Sequence, residues 1–172
     1  FVPFADLLPY RGFARKIFDG VQTNVPTFHG VVVRKDFGEK YPEVVVAYIR
    51  ALMEANAWFK ANPALASTKI EEWTKIEKEV VYLYLGPQGI HTLDPTIKPR
   101  WLDTIKIGHG VLTELKRVKS LNIDAWVNET YLKEAFKQAK LDYDSQKQSM
   151  ASFDIGGTDK FCKTAITRPK EA

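Results

Sequence analysis

The stretch from Pro26 to Ala61, PTFHGVVVRKDFGEKYPEVVVAYIRALMEANAWFKA, constrains the fold more than any other part of the chain. Its second part sets Tyr41, Val45, Tyr48, Ile49, Leu52, Met53 and Phe59 at helical spacing, which predicts a long amphipathic helix with those side chains inward. Pro42 suits the first helical turn, where no backbone N–H is needed. Glu39 and Glu43 place negative charge where the helix dipole favours it. Asn62-Pro63 stops this helix and can start another. The first part is different in kind. Phe28 to Arg34 is a short β-branched run opened by Pro26 and broken by Gly30. It reads as a buried strand of about seven residues. Asp36 to Lys40 reads as a polar connection between strand and helix.

The rest of the chain follows the same logic. Phe1 to Phe4 is short and apolar and reads as the tail of a parallel strand. Asp6 to Phe18 reads as helical turns interrupted by Pro9 and Gly12, closed at Asp19-Gly20. Asn62 to Trp73 reads as a helix with Asn62 as cap and Pro63 in its first position. Thr74-Lys-Ile-Glu77 matches a capping box, opening a short apolar helix that ends at Gly86-Pro87. Lys98 to Arg117 is amphipathic, with Trp101, Leu102, Ile105, Val111, Leu112 and Leu115 on one side. Gly108 and Gly110 inside it suggest a bend or a close helix contact. Ile123 to Val127 is a short link. Asn128 caps a last helix to Lys140, with Tyr131, Leu132, Ala135, Phe136 and Ala139 inward and Lys133, Lys137 and Lys140 on the solvated face. Gln146 to Ala172 is polar and aperiodic and reads as an extended tail.

Composition excludes several classes. At 172 residues the chain has length for one domain with a real core. It is 45% hydrophobic and 27% charged, which is globular rather than disordered. The net charge of +4 is spread over scattered Lys and Arg. Nucleic-acid binding needs a concentrated basic stripe, so no nucleic-acid partner is expected. No run approaches the roughly 18 apolar residues needed to span a bilayer. The chain begins FVPFADLL, without an initiating Met or a charged leader, and reads as a processed or truncated product. The one cysteine, Cys162, cannot form an internal disulfide.

No catalytic signature is present: no G-x-S-x-G, GxGxxG, P-loop, HExxH or CxxC. His29, His91 and His109 stand 62 and 18 residues apart. Nothing in that spacing makes them converge as zinc ligands, so no metal or other cofactor is expected. His29 lies on an apolar run and reads either as a buried imidazole bonded to backbone or as part of a cleft wall. Glu71, Glu72, Glu77 and Glu79 fall among lysines and read as surface charge balance. Aromatic and small polar side chains gather at two junctions instead: Phe4, Asp6 and Tyr10 near the start, and Thr27, Phe28 and His29 at the strand. A small-molecule cleft needs apolar walls and a few donors that fix a polar head. For an oxyanion the donors are N–H groups, hydroxyls or Arg, and Arg11 and Thr27 are candidates. The plain alternative for Phe4, Tyr10 and Phe28 is core packing.

The pattern strand, R-x-D-F, x-x-K-Y-P, long helix ending A-W-F-K-A-N-P resembles solute-binding proteins of ABC importers, of the nitrate/sulfonate/taurine type. The segments GPQGIHTLDPTIKPRWLDTIKIGHGVL and IDAWVNETYLKEAFKQAKLDYD continue the likeness, which covers about residues 1 to 150. The resemblance implies a helix-rich α/β chain that is part of a two-lobed type II periplasmic-binding-protein fold. Residues 1–27 would form the end of the second lobe and a hinge crossing. Residues 28–150 would form the returning half of the first lobe, and 151–172 a tail. A missing N-terminal half of the same fold would complete the cleft. The implied function is to capture a small anionic solute in the periplasm and deliver it to an ABC permease, without catalysis. The cleft would be lined by Pro3–Asp6 and Thr27–His29. The family's Trp-Asp-Pro near the first site is absent, since Val2-Pro3-Phe4-Ala5-Asp6 stands there. That departure argues against a sulfonate or taurine head group. Two other readings remain open. An enzyme on this fold, like its pyrimidine-synthase relatives, would need a Cys-rich segment and a clustered His. A helical interaction module would have no ligand cleft.

Overall fold

The computed structural model describes residues 3–15, 17–18, 30–83 and 93–148. Every regular element among these residues is an α-helix, and none is a strand. The helices are α1 (Phe4–Tyr10), α2 (Lys35–Lys40), α3 (Pro42–Ala61), α4 (Pro63–Thr74), α5 (Lys78–Leu83), α6 (Pro99–Glu114), α7 (Ile123–Trp126), α8 (Thr130–Gln138) and α9 (Tyr143–Gln148).

Helix α3 is the long helix expected, and Pro42 is its first residue. Val45, Val46 and Met53 on it are buried. Tyr48 and Leu52, expected inward, are exposed instead. The segment before it departs further from expectation. Gly30 to Arg34 is irregular rather than a strand, and Val31, Val32 and Val33 are exposed rather than buried. A strand needs a neighbour to take its N–H and C=O groups, and none of the described residues offers one. The polar connection after it is helix α2, with Asp36 in its first turn and Lys40 in its last, charges that suit the dipole. Phe28 and His29 lie outside the described residues, as do 84–92, which cover the expected stop at Gly86-Pro87 and His91.

The described residues fall into two compact units. The first holds α1, α3 from Met53 onward, α4 and α5. Phe4, expected in a strand tail, opens α1, which contains Pro9 and ends before Gly12 at φ +76. Helix α5 packs against both α1 and α4, and Leu7, Ala66, Val80 and Tyr82 are buried there. Pro63 starts α4 as expected, but Asn62 does not cap it with its side chain. Its Nδ2 donates to Trp58 O at 3.0 Å, which serves the end of α3. The capping box does not form: Thr74 ends α4, its Oγ1 donating to Ile70 O at 2.7 Å and accepting from Ile76 N at 3.3 Å, and Glu77 is turned to Arg11.

The second unit holds α2, α3 through Leu52, and α6 to α9. Trp101 of α6 is buried, and α7 packs on α6. Lys106 pairs with Asp124 at 2.7 Å across these two helices. The Asn122 side chain caps α7 by accepting from Ala125 N at 3.1 Å. Thr130 N donates to Asn128 Oδ1 at 2.9 Å, but Asn128 stands one residue before the N-cap of α8, which is Glu129 and makes no side-chain capping bond. Ala135 and Phe136 are buried and Lys133, Lys137 and Lys140 exposed, as the periodicity requires. Phe136 meets Tyr143 of α9 edge-on at 5.1 Å between ring centres. Residues 146–148 belong to α9, not to an extended tail. The expected close contact at Gly108 and Gly110 is not found among the described residues, since a Cβ at either position meets nothing of theirs within 4 Å. Val111, Leu112 and Leu115 of α6 are exposed rather than inward.

Candidate functional site

The expected site residues that are described all lie on α1 of the first unit. As a strand, positions 4 and 6 would share a face; as a helix they lie about 200° apart. The helix therefore brings Asp6 and Tyr10 onto one side, four residues apart, and sends Phe4 away from them. Phe4 is exposed, while Asp6 and Tyr10 are half-buried. Asp6 sits in the first turn, where the helix dipole favours a carboxylate.

At the other end of α1, Tyr10 and Arg11 face the acidic entry to α5. Arg11 grips Glu77 through two hydrogen bonds, Nε to Oε1 at 2.7 Å and Nη2 to Oε2 at 3.2 Å. This forked pair is the geometry in which guanidinium and carboxylate match best. The hydrogen bond from Arg11 holds the Glu77 carboxyl below its ordinary range, and the same bond holds Arg11 charged. The phenol of Tyr10 is pushed above its ordinary value, first by burial, then by the charge and hydrogen bond of Glu79, with Glu77 and Glu71 adding. Arg11 was a candidate oxyanion donor, but its fork is filled by Glu77. Tyr10 thus has Glu71, Glu77 and Glu79 about it, in a segment that also carries Lys75 and Lys78. The sequence did not single out Glu77 and Glu79 as partners of α1, because Arg11, which Glu77 pairs with, lies 66 residues back along the chain.

The second unit contains an open cleft of about 480 Å³ at the start of α8. Leu102 and Val127 supply apolar wall, and Asp124, Asn128, Glu129 and Lys133 supply polar groups. Both carboxylates are already paired, Asp124 with Lys106 at 2.7 Å and Glu129 with Lys147 at 2.5 Å. None of the expected site residues lines it. Thr27, Phe28 and His29 lie outside the described residues. So does Cys162.

Among the described residues, no group of three or more His, Cys, Asp or Glu could hold a metal ion. His109 of α6 is engaged by the connection that follows its helix: Leu121 N donates to its Nε2 at 2.9 Å. No helix among the described residues is long and apolar enough to cross a membrane.

Over 57 residues the chain is 39% identical to the taurine-binding periplasmic protein of Escherichia coli (strain K12). The match takes in 33% of this chain and 18% of that relative, so it spans under a fifth of the relative's length. No family model matches the chain. No solved structure matches it either. At the coarsest level this likeness points to solute binding.

Proposed function

We propose that this chain is part of the solute-binding component of an ABC importer, capturing a small anionic solute, sulfonate- or nitrate-like, in the periplasm. The carrying observation is the 39% identity over 57 residues to a taurine-binding periplasmic protein. The patterns around Arg34–Pro42 and Ala57–Pro63 support it from the sequence side. The proposed type II fold is completed by a further part of the same protein, and the ABC permease is the proposed membrane partner. Residues 1–27 are proposed for the end of the second lobe, 28–150 for the returning half of the first, and 151–172 for a tail. The proposed ligand residues are Phe4, Asp6, Tyr10, Thr27, Phe28 and His29.

Calorimetry on the whole protein tests the reading. Phe28→Ala and His29→Ala are each expected to weaken solute binding more than about 10-fold, a loss of about 1.4 kcal/mol or more. Unchanged affinity in both variants removes these residues from the site. A second reading is a helical interaction module without a ligand cleft. It is favoured by the all-helical character of the described residues and the exposed Val44, Tyr48 and Trp58 on α3. Saturable binding of any small solute rejects it.

A further inference from the structure

The imidazole of His109 makes a contact that only one of its charge states allows. Leu121 N donates to its Nε2 at 2.9 Å. A ring nitrogen accepts a hydrogen bond only while it carries no proton, so this bond belongs to the neutral ring with its proton on Nδ1. The charged ring is a donor at both nitrogens, and Nε2 would then meet the Leu121 N–H donor to donor. A different partner stands on its own helix. Thr113 Oγ1 gives its proton to His109 O at 2.8 Å, and its oxygen lies 3.5 Å from Nε2. The two charge states therefore call for two arrangements.

Among the described residues, the stretch that His109 holds has few other ties. Helix α6 closes with Lys116 in the left-handed region at φ 54, and Lys116 N and Arg117 N donate to Thr113 O and Leu112 O. Residues 118–120 enter no backbone–backbone hydrogen bond with the described residues. Val118 and Leu121 are exposed. A segment with few bonds and little burial opens locally at low cost. Leu121 leads directly into Asn122, the cap of α7, and Ile123, which is buried. Asp124 and Ala125 of α7 line the 480 Å³ cleft.

The surrounding charges add to the effect. Lys116, Arg117 and Lys119 stand in the turn itself. Asp124 of α7 is engaged by Lys106 of α6 at 2.7 Å, and at the cleft Glu129 is engaged by Lys147 while Lys133 adds a further cation. Asp103 and Glu114 lie about 120° and 140° around α6 from His109. A charged ring thus loses its bond to the turn and gains like charge along it.

We infer that His109 is a pH-sensitive clasp: its neutral ring holds residues 118–121, and through them the entry to α7, against α6, and its protonated ring releases them. The inference takes nothing from the proposed solute.

Nuclear magnetic resonance on the whole protein tests it, with labelled histidine rings and labelled leucine and phenylalanine amides. His109→Gln identifies the His109 ring signal by its loss. Two quantities are followed from about pH 8 to about pH 5, the range in which an unperturbed imidazole changes charge. One is the protonation of the His109 ring. The other is the protection of the Leu121 amide, taken relative to its intrinsic exchange rate at each pH. Protection is expected to fall at least about 10-fold in step with ring protonation, while the amide of the buried Phe136 keeps its own. In His109→Gln, whose side-chain oxygen accepts an N–H at any pH, the step is expected to vanish. In His109→Ala the Leu121 amide is expected to be unprotected throughout. Protection that survives ring protonation overturns the inference, and so does a ring that stays neutral at the acid end. The same step in His109→Gln, or a parallel loss at Phe136, overturns it too, since another group or global unfolding is then responsible.

Discussion

Lys98 is 1% exposed, yet its ammonium is well placed. It donates to Gln146 O at 2.7 Å and to Lys147 O at 3.4 Å, carbonyls in the last turn of α9. A helix end leaves its last carbonyls without intrahelical partners, and a cation there is doubly suited. Lys98→Met keeps the stem and removes the donor. It is expected to cost about 1–3 kcal/mol, the range for a buried group left without its hydrogen bond. An unchanged urea midpoint contradicts this role. Glu77 gives the second residue-scale prediction. Its carboxyl is held low by Arg11, so its contribution is complete above about pH 4.3, the ordinary value for Glu. The contribution is lost as pH falls through the lower, folded-state range. Glu77→Gln therefore flattens the decline in stability below about pH 4.3. The effect is small, because the pair is partly exposed. Identical acid profiles for parent and variant refute it. At this scale the sequence was legible where partners are close along the chain, as with Asn128 and Thr130. It was silent on Arg11 with Glu77 and on Lys98 with α9, because side-chain pairing at long range leaves no periodic trace.

Among elements, helices with a wide apolar stripe and a proline start were readable. Helix α3 opens at Pro42, α4 at Pro63 and α6 at Pro99, as a residue without a usable N–H requires. The strand from Phe28 to Arg34 was not realised in its described part. Periodicity and β-branching state what a segment suits, while a strand also needs a neighbour that the segment cannot supply. Phe4 failed for a related reason: four residues are too few for a period to decide between strand and helix. Three glycines make element-scale tests. Gly108→Ala and Gly110→Ala place a methyl group in open space. Each should therefore stabilise by up to about 1 kcal/mol through helix propensity alone. Gly38 differs, since its Cβ would sit 2.8 Å from Tyr131 Oη and 3.3 Å from Tyr131 Cζ. Overpacking of about 1–3 kcal/mol outweighs the propensity gain there, and Gly38→Ala is expected to destabilise. Thermal unfolding that ranks Gly38→Ala with the other two contradicts this packing.

For the whole molecule, the helix-rich character was legible, and the sheet half of the α/β expectation is not found among the described residues. The candidate site was readable only as two junctions. One of them, on α1, is met by Glu71, Glu77 and Glu79, which its own residues did not announce. The solute-binding proposal rests on sequence likeness. A thermal-shift titration of the whole protein with taurine, alkyl sulfonates and nitrate tests that proposal most directly. It predicts stabilisation by at least one of them, about 2.7 kcal/mol at 100 times the dissociation constant. No shift with any of these solutes at millimolar concentration, in a protein that unfolds cooperatively, contradicts it.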